Sequence, residues 1–430
     1  MALSTRALRN HSKPMPQLRQ CELVEPGRFR WGDATVPTPS EGEVLVRPGA
    51  VGMCGTDYHA FDGTQNFFTY PRILGHEVGA TVVSFGPGCE DSGLKVGDRV
   101  AVVPYWECGS CVACRWGKPN CCTSIKVIGV HINGAMQGHL CVPKSKLVKS
   151  DILSLEQLAL VETLCIGAHA VFRASVRTGE RALVIGAGPI GLGTAQFAQA
   201  AGCEVIVMDV NEQRLDFMRA TLGVEKAIVV RPGAPEVVLA ELQEACEGEL
   251  PTTVFDATGN LHSMNGAFSF VAHGGKLVFV GHTKMSISFD NPLFHSREMT
   301  VLASRNALAE DFARVIKLIE TAKIDVSPWV THRCAMLWVV LHALAAVSMM
   351  DVKADIMLSG SRHSQVHAGF VRSELQVVEA GKLWCHQGHG AALRALRGGR
   401  DHWRHATGPT NACSLQRWWA RGPVRHGRVS

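Results

Sequence analysis

The chain reads as a two-part α/β protein, an irregular strand-rich domain joined to a doubly wound parallel sheet, and three observations predict it. Its 430 residues with 46% apolar content suffice for two buried cores at roughly 100 to 200 residues per domain. From Cys21 to about Lys149, β-rich runs such as Val44 to Arg47, Gly79 to Phe85 and Arg99 to Val103 alternate with Gly/Pro turns. That is the texture of a strand-rich domain whose motifs sit on loops. From Glu180 onward the pattern is strand then helix: Ala182 to Ile185, a helix from Ile190, Val205 to Asp209, a helix from Glu212, then Ala227 to Val230, Thr253 to Asp256 and Lys276 to Val280. Apolar strands alternating with amphipathic helices predict a parallel sheet covered on both faces.

After about Ser304 the alternation ends, and short apolar stretches from Ile324 to about Leu358 predict a return to the first domain. The expected organisation is a strand-rich domain over residues 16–165, the parallel-sheet domain over 166–304, a return over 305–358, and an atypical tail over 359–430. The net charge of +5 is unevenly spread: the tail holds ten Arg and one Lys against three acids, and the rest has 32 basic and 35 acidic residues. The tail also carries seven His and four Trp without a sustained period, so it is read as an unstructured appendage. Read-through or out-of-frame coding sequence, or a flexible nucleic-acid-binding arm, are the competing readings, and nucleic acid is the less favoured partner.

Fifteen cysteines in a long chain, with one dense cluster of metal-ligand spacing, fit a reducing cytoplasm better than a disulfide framework. Met1 to Arg19 is polar and broken by prolines, unlike a signal peptide. No stretch approaches the roughly 20 apolar residues that span a bilayer, so no membrane partner is expected.

The strongest local signal is Cys108-x2-Cys111-x2-Cys114-x7-Cys122 on a Gly-punctuated loop. Four thiolates close a tetrahedral shell, select zinc and leave no room for substrate, which makes the site structural. Cys121, beside Cys122, is the competing fourth ligand. A second metal signal is dispersed: Cys54 in Gly-Met-Cys-Gly-Thr-Asp, His76 and Glu77 in Gly-His-Glu, and Glu162 in Val-Glu-Thr-Leu. One thiolate, one imidazole and one carboxylate leave a position open for water or an alcohol oxygen. Read alone, Gly-His-Glu is an ordinary turn with a satisfied histidine, and only the combination argues for a site. Thr56, two positions after Cys54, offers a hydroxyl to a bound alcohol, and His59 an imidazole to carry the proton to solvent. Ordinary loop polarity is the alternative for both.

The turn Gly186-Ala187-Gly188-Pro189-Ile190-Gly191 follows a strand and opens a helix. Its glycines let the backbone approach a pyrophosphate held at the helix N-terminus. Asp209 lies 18 residues after Gly191 at the end of the next strand. Its carboxylate suits ribose hydroxyls and repels a phosphate there, which favours NAD over NADP; a helix cap is the alternative. Arg214, on the following helix, joins the expected cofactor set.

These motifs, in this order, resemble the zinc-containing medium-chain alcohol dehydrogenases over about Pro16 to Leu358. The resemblance implies a GroES-like catalytic domain, a Rossmann domain, a cleft between them holding zinc and nicotinamide, two zinc ions per chain, and a homodimer or homotetramer. By this likeness Cys54, His76 and Glu77 match the ligands of the sorbitol-dehydrogenase branch, with Glu162 at a further position that binds directly or through water. Cys-Gly-Thr-Asp-Tyr-His-Ala, Asn66-Phe67-Phe68 through Gly-His-Glu, Val127-Ile-Gly-Val-His131 and Ser304-Arg305-Asn306 look most like the L-galactonate 5-dehydrogenase group. The implied reaction is NAD-linked oxidation of a secondary hydroxyl on a polyhydroxylated sugar acid, aided by Lewis-acid polarisation. Phe67 and Phe68 would wall the pocket, and Arg305 would pair with a carboxylate, a domain-seam salt bridge being its alternative role. Polyol and threonine dehydrogenases share the metal and cofactor motifs. A tail-driven nucleic-acid binder and a catalytically silent fold are the readings from other classes. Ser359 to Ser430 has no counterpart in the family, and Leu337 to Met350 is more apolar than the family's usual helix and loop.

Overall fold

The computed structural model describes residues 19–65, 68–231, 233, 235–335 and 356–359. Residues 16–18, Phe67, the apolar stretch from Leu337 to Met350 and the tail beyond Ser359 lie outside the described residues, and so do the expectations placed on them.

Strand Glu43–Met53 is the hub of the strand-rich half. It pairs antiparallel with Glu77–Phe85, Leu140–Pro143 and Ile356–Ser359, in a sheet ordered 147–149, 99–102, 77–85, 43–53, 356–359, 332–335. Val44, Val46, Leu74, Val78, Val100 and Met136 form its core. The second sheet is wholly parallel, ordered 226–229, 204–209, 181–185, 253–256, 276–279, 300–303. Along Arg181–Ile185 the side chains alternate between two cores, Ala182 and Val184 joining one, Leu183 and Ile185 the other. A strand covered on both faces therefore reads in sequence as a continuous apolar run. Strand order reverses between 181–185 and 253–256, which opens a crevice beyond the carboxyl ends of those strands.

Helix Leu155–Ala174 serves both halves, packing on the Glu77–Phe85 strand and on helices Pro189–Ala200 and Ala309–Glu320. A capping box starts it: Gln157 N donates to Ser154 Oγ (3.2 Å) and Ser154 N to Gln157 Oε1 (2.9 Å), satisfying two amides that the first turn leaves free. By length and composition alone this helix is apolar enough to cross a membrane, which corrects the expectation that no segment approached that limit; 72% of its apolar window is buried inside the protein. It is apolar on most of its surface because strand Glu77–Phe85 and helices Pro189–Ala200 and Ala309–Glu320 all pack on it, and its buried apolar residues belong to one continuous core.

Candidate active site

Cys54 is the N-cap of helix Gly55–Phe61, and Asp57, three residues on, takes the Cys54 amide on Oδ2 (2.9 Å). The other Asp57 oxygen lies 3.7 Å from His76 Nδ1, so one buried carboxylate fixes the Cys54 backbone and faces the imidazole. His76 and Glu77 stand where the loop enters strand Glu77–Phe85, and Glu77 lies opposite Gly52 across the antiparallel pair. This register gathers the ligand atoms of Cys54, His76 and Glu77 within 4.8 Å of one another. Thr56 Oγ1 is 3.8 Å from Cys54 Sγ, beside the cluster. Glu162 faces the same site from the long helix but is not in the closest set; its Oε1 accepts the Tyr105 hydroxyl.

The electrostatics are those of an anionic pocket. Asp57, Glu77 and Glu162 are all buried, and among the described residues His76 is the cationic group acting on Asp57 and Glu162. Burial pushes both of those carboxyls up. Burial, then the charges of Asp57 and Glu162, push the Cys54 thiol up to about 12. Burial lowers His76, but Asp57, Glu162 and Glu77 more than reverse it, and its pKa is raised.

The four-cysteine loop brings the sulfurs of Cys108, Cys111, Cys114 and Cys122 within 4.8 Å of one another; Cys121 is exposed and outside the set. Backbone amides point at these sulfurs: Cys108 N at Cys122 Sγ (3.3 Å), Cys111 N at Cys108 Sγ (3.4 Å) and Ser124 N at Cys122 Sγ (3.3 Å). Backbone amides of Ser110 and Cys111 hold Cys108 down at about 7, and those of Cys114 and Thr123 hold Cys111 at about 5. Desolvation and the neighbouring Cys111 sulfur push Cys114 up to about 12.

In the crevice of the parallel sheet, Gly186 has a left-handed backbone (φ +101°), and a Cβ on Gly191 would lie 1.6 Å from Gly186 O. Pro189 and Ile190 open the helix, with Gly188 as its N-cap. Asp209, buried at the end of its strand, accepts Ala187 N (2.6 Å) on Oδ2 and Asn211 N (2.7 Å) on Oδ1. The cap of the next helix is Asn211, which accepts Arg214 N at 3.2 Å, so capping is not the work of Asp209.

Three expected residues stand differently from the simplest sequence picture. His59 is exposed and its Nδ1 pairs with Thr64 Oγ1 (3.1 Å); no hydrogen bond joins it to Thr56 among the described residues. Arg305 is exposed, and its side chain makes no ion pair among the described residues, so the domain-seam salt bridge is absent there. Phe68 is buried and packs edge-on to Tyr70 (centroids 4.8 Å apart), a core contact. Near Arg305 lies His131, whose Nδ1 accepts Val127 N (3.1 Å). Burial first, then the Arg305 and Arg72 guanidinium groups, lower its pKa. The sequence reading missed Asp57, Tyr105 and Asn120; only Asp57, at the third position of a capped helix, carried a local signal.

The alcohol dehydrogenase GroES-like domain matches residues 40–152, and the zinc-binding dehydrogenase family matches residues 189–321. The chain is 42% identical over 309 residues to the L-galactonate-5-dehydrogenase of Escherichia coli strain K12, covering 72% of this chain and 89% of that relative. The chain belongs to the zinc-type medium-chain alcohol dehydrogenase superfamily. The 2-dehydro-3-deoxy-L-galactonate 5-dehydrogenase of Pseudoalteromonas atlantica is 32% identical, covering 68% of this chain and 84% of its own. A solved alcohol dehydrogenase from Escherichia coli CFT073, complexed with NADH, superposes with a TM-score of 0.72 at 27% identity over 80% of this chain and 99% of its own.

Residues of this dehydrogenase fit the groups its family uses. Three buried acids, Asp57, Glu77 and Glu162, with the Cys54 thiol and the His76 imidazole offer oxygen, sulfur and nitrogen donors whose crowding a bound cation relieves, and His76 Nδ1 and Asp57 Oδ1 make no hydrogen bond. At Gly188 the φ is unremarkable and a Cβ would meet nothing within 4 Å. The chain alone does not require glycine there, whereas a pyrophosphate seated on the helix N-terminus would.

Proposed function

We propose that this enzyme oxidises a secondary hydroxyl of a sugar acid of the L-galactonate class, using NAD and two zinc ions per chain. The observation that carries the reading is the cluster of Cys54, His76 and Glu77, whose ligand atoms lie within 4.8 Å of one another, with Thr56 Oγ1 3.8 Å from the sulfur. When bound, zinc supplies Lewis acidity to an alcohol oxygen and NAD accepts hydride. Cys54, His76 and Glu77 would hold the catalytic ion, with Glu162 behind them, and Cys108, Cys111, Cys114 and Cys122 the structural one.

The chain's own residues then do the following. Thr56 Oγ1 accepts the hydroxyl proton as its own O–H proton passes to solvent, where exposed His59 takes it up. Asp57 orients His76 from its Nδ1 side, and Tyr105 holds Glu162 in one rotamer, so the site is pre-arranged. The Gly186–Gly191 turn cradles the pyrophosphate. Asp209 turns the remaining acceptor capacity of its carboxylate toward the adenosine ribose, with Arg214 at the rim. Arg305, which has no carboxylate partner among the described residues, binds the substrate carboxylate, Arg72 adds positive potential, and His131, its pKa lowered, offers a neutral imidazole. Thiolate sites of this kind suit a reducing cytoplasm, and the family likeness supports a homodimer or homotetramer.

The test is a substrate panel. NAD-dependent oxidation of L-galactonate should exceed that of sorbitol, threonine and ethanol in kcat/KM, and Arg305→Ala should cost the aldonate on the order of 2 to 3 kcal/mol of transition-state binding and a neutral polyol much less. A clear preference for sorbitol would move the enzyme to the polyol branch, and a preference for threonine to the threonine dehydrogenases.

A further inference from the structure

A buried polar chain runs from the four-cysteine loop to the segment that carries Arg305. Asn120 sits two residues before Cys122 in the short helix Pro119–Cys121 and is almost fully buried. Its Nδ2 lies 2.9 Å from Arg305 O and 3.2 Å from His169 Nε2. A carbonyl only accepts, so the amide nitrogen must face Arg305, and its second N–H is then given to the imidazole. His169 Nε2 therefore accepts, and Nδ1–H is donated to Asp311 Oδ2 at 2.8 Å. Asp311 also takes Leu308 N (2.9 Å) and Arg314 Nη1 (2.8 Å). The return bond runs from Asn306 Nδ2 to Asn120 O (3.0 Å). Residues 305, 306 and 308 are thus tied to the cysteine loop and the long helix by hydrogen bonds. A cavity of about 450 Å³ lined by Asn120, Cys114, Ala307 and Leu308 lies alongside.

We infer that Asn120 is a positioning residue for substrate selectivity: through Arg305 O it holds the Arg305 guanidinium at the substrate carboxylate, coupling the four-cysteine loop to recognition. The inference rests on the carboxylate role proposed for Arg305. Asn120 touches neither substrate nor cofactor. Its amide spans two segments 185 residues apart in sequence, and no other side chain among the described residues donates to Arg305 O.

The test compares the zinc-loaded wild type with Asn120→Ala, Arg305→Ala, the double variant and Asn120→Asp, which keeps the shape but has no N–H to give Arg305 O. Zinc content and melting temperature check the fold; Asn120→Asp carries the test if the alanine variant does not fold. Backbone amide exchange over residues 304–308 should quicken in both Asn120 variants. The aldonate KM should rise about five- to tenfold, the loss of one backbone-anchoring hydrogen bond, with kcat and the neutral polyol changing less than about twofold. The second substitution should add little on top of Arg305→Ala. Unchanged exchange over 304–308 overturns the positioning role whatever the substrate. Faster exchange with equal losses on aldonate and polyol, or additive effects in the double variant, overturns the link to selectivity. If Arg305→Ala itself treats the two substrates alike, the carboxylate role of Arg305 has failed, and this inference falls with it.

Discussion

Glycine 52 sets the most specific demand on the metal pocket. It faces Glu77 across the antiparallel pair, and a Cβ at that position would lie 1.9 Å from Glu77 Oε2, 2.9 Å from its Cβ and 3.0 Å from its Cδ. The carboxylate oxygen could swing away, but the Cβ belongs to a strand residue that is 1% exposed and cannot. Gly52→Ala must therefore push the strands apart or drive the Glu77 carboxylate out of the cluster. Overpacking of this kind costs about 1 to 3 kcal/mol of stability. Displacing one member of a ligand shell should weaken zinc by about 10- to 100-fold at the catalytic site, comparable to loss of an outer-shell partner. Zinc retained after dialysis against a buffered chelator, read together with kcat, measures it. The expected result is loss of one zinc and of activity while the four-cysteine zinc stays. Gly266→Ala, where a Cβ meets nothing within 4 Å, is the control and should be silent. Full zinc and unchanged kcat in Gly52→Ala would refute the placement of the Glu77 carboxylate in the metal shell.

Three further outcomes follow from the same geometry. Metal analysis should give two zinc ions per chain, and a chelator should remove the Cys54 site's ion first, abolishing activity before unfolding; one ion in a fully active protein contradicts this. Asp209→Ala should narrow the gap between NAD and NADP in kcat/KM and lower stability by about 1 to 3 kcal/mol, because it also leaves the amides of Ala187 and Asn211 unpaired; a wild type that already prefers NADP would remove Asp209 from the specificity role. For Asp311, burial raises the pKa but His169, Leu308 N and Arg314 more than offset it, so the folded value lies below the ordinary 3.8. The stability this adds is fully present above the unfolded pKa and is lost as pH falls through the folded one. Urea unfolding between about pH 5 and 3 should show a shallower acid-side loss in Asp311→Asn than in the wild type, and equal slopes would exclude the role.

The parallel sheet was legible because its central strands, Arg181–Ile185, Glu204–Asp209 and Thr253–Asp256, are buried on both faces, so they stand out as apolar runs against polar loops. The four-cysteine loop was legible because its ligands are local in sequence. The open site was half legible: Cys54, His76 and Glu77 are individually weak signals, and the register of Glu43–Met53 against Glu77–Phe85 is what assembles them. Hidden altogether were contacts between residues far apart in the chain, such as Tyr105 with Glu162, Asn120 with His169, and His169 with Asp311. Asn120 looks like filler between two ligand cysteines. The membrane expectation failed for a related reason: Leu155–Ala174 is apolar because a strand and two helices distant in sequence pack on it, and composition alone does not reveal those neighbours.

The Cys54–His76–Glu77 site, loaded with zinc, is proposed to oxidise a sugar acid with NAD. Its most direct test is the initial rate of NADH formation by the purified full-length chain on L-galactonate, measured as isolated, after partial chelation that leaves one zinc per chain, and after zinc is restored. The expected results are activity as isolated, near-complete loss with one zinc remaining and the fold intact, and recovery in proportion to zinc returned. Undiminished NADH formation after the labile zinc is gone, or none on L-galactonate with both ions bound, would contradict it.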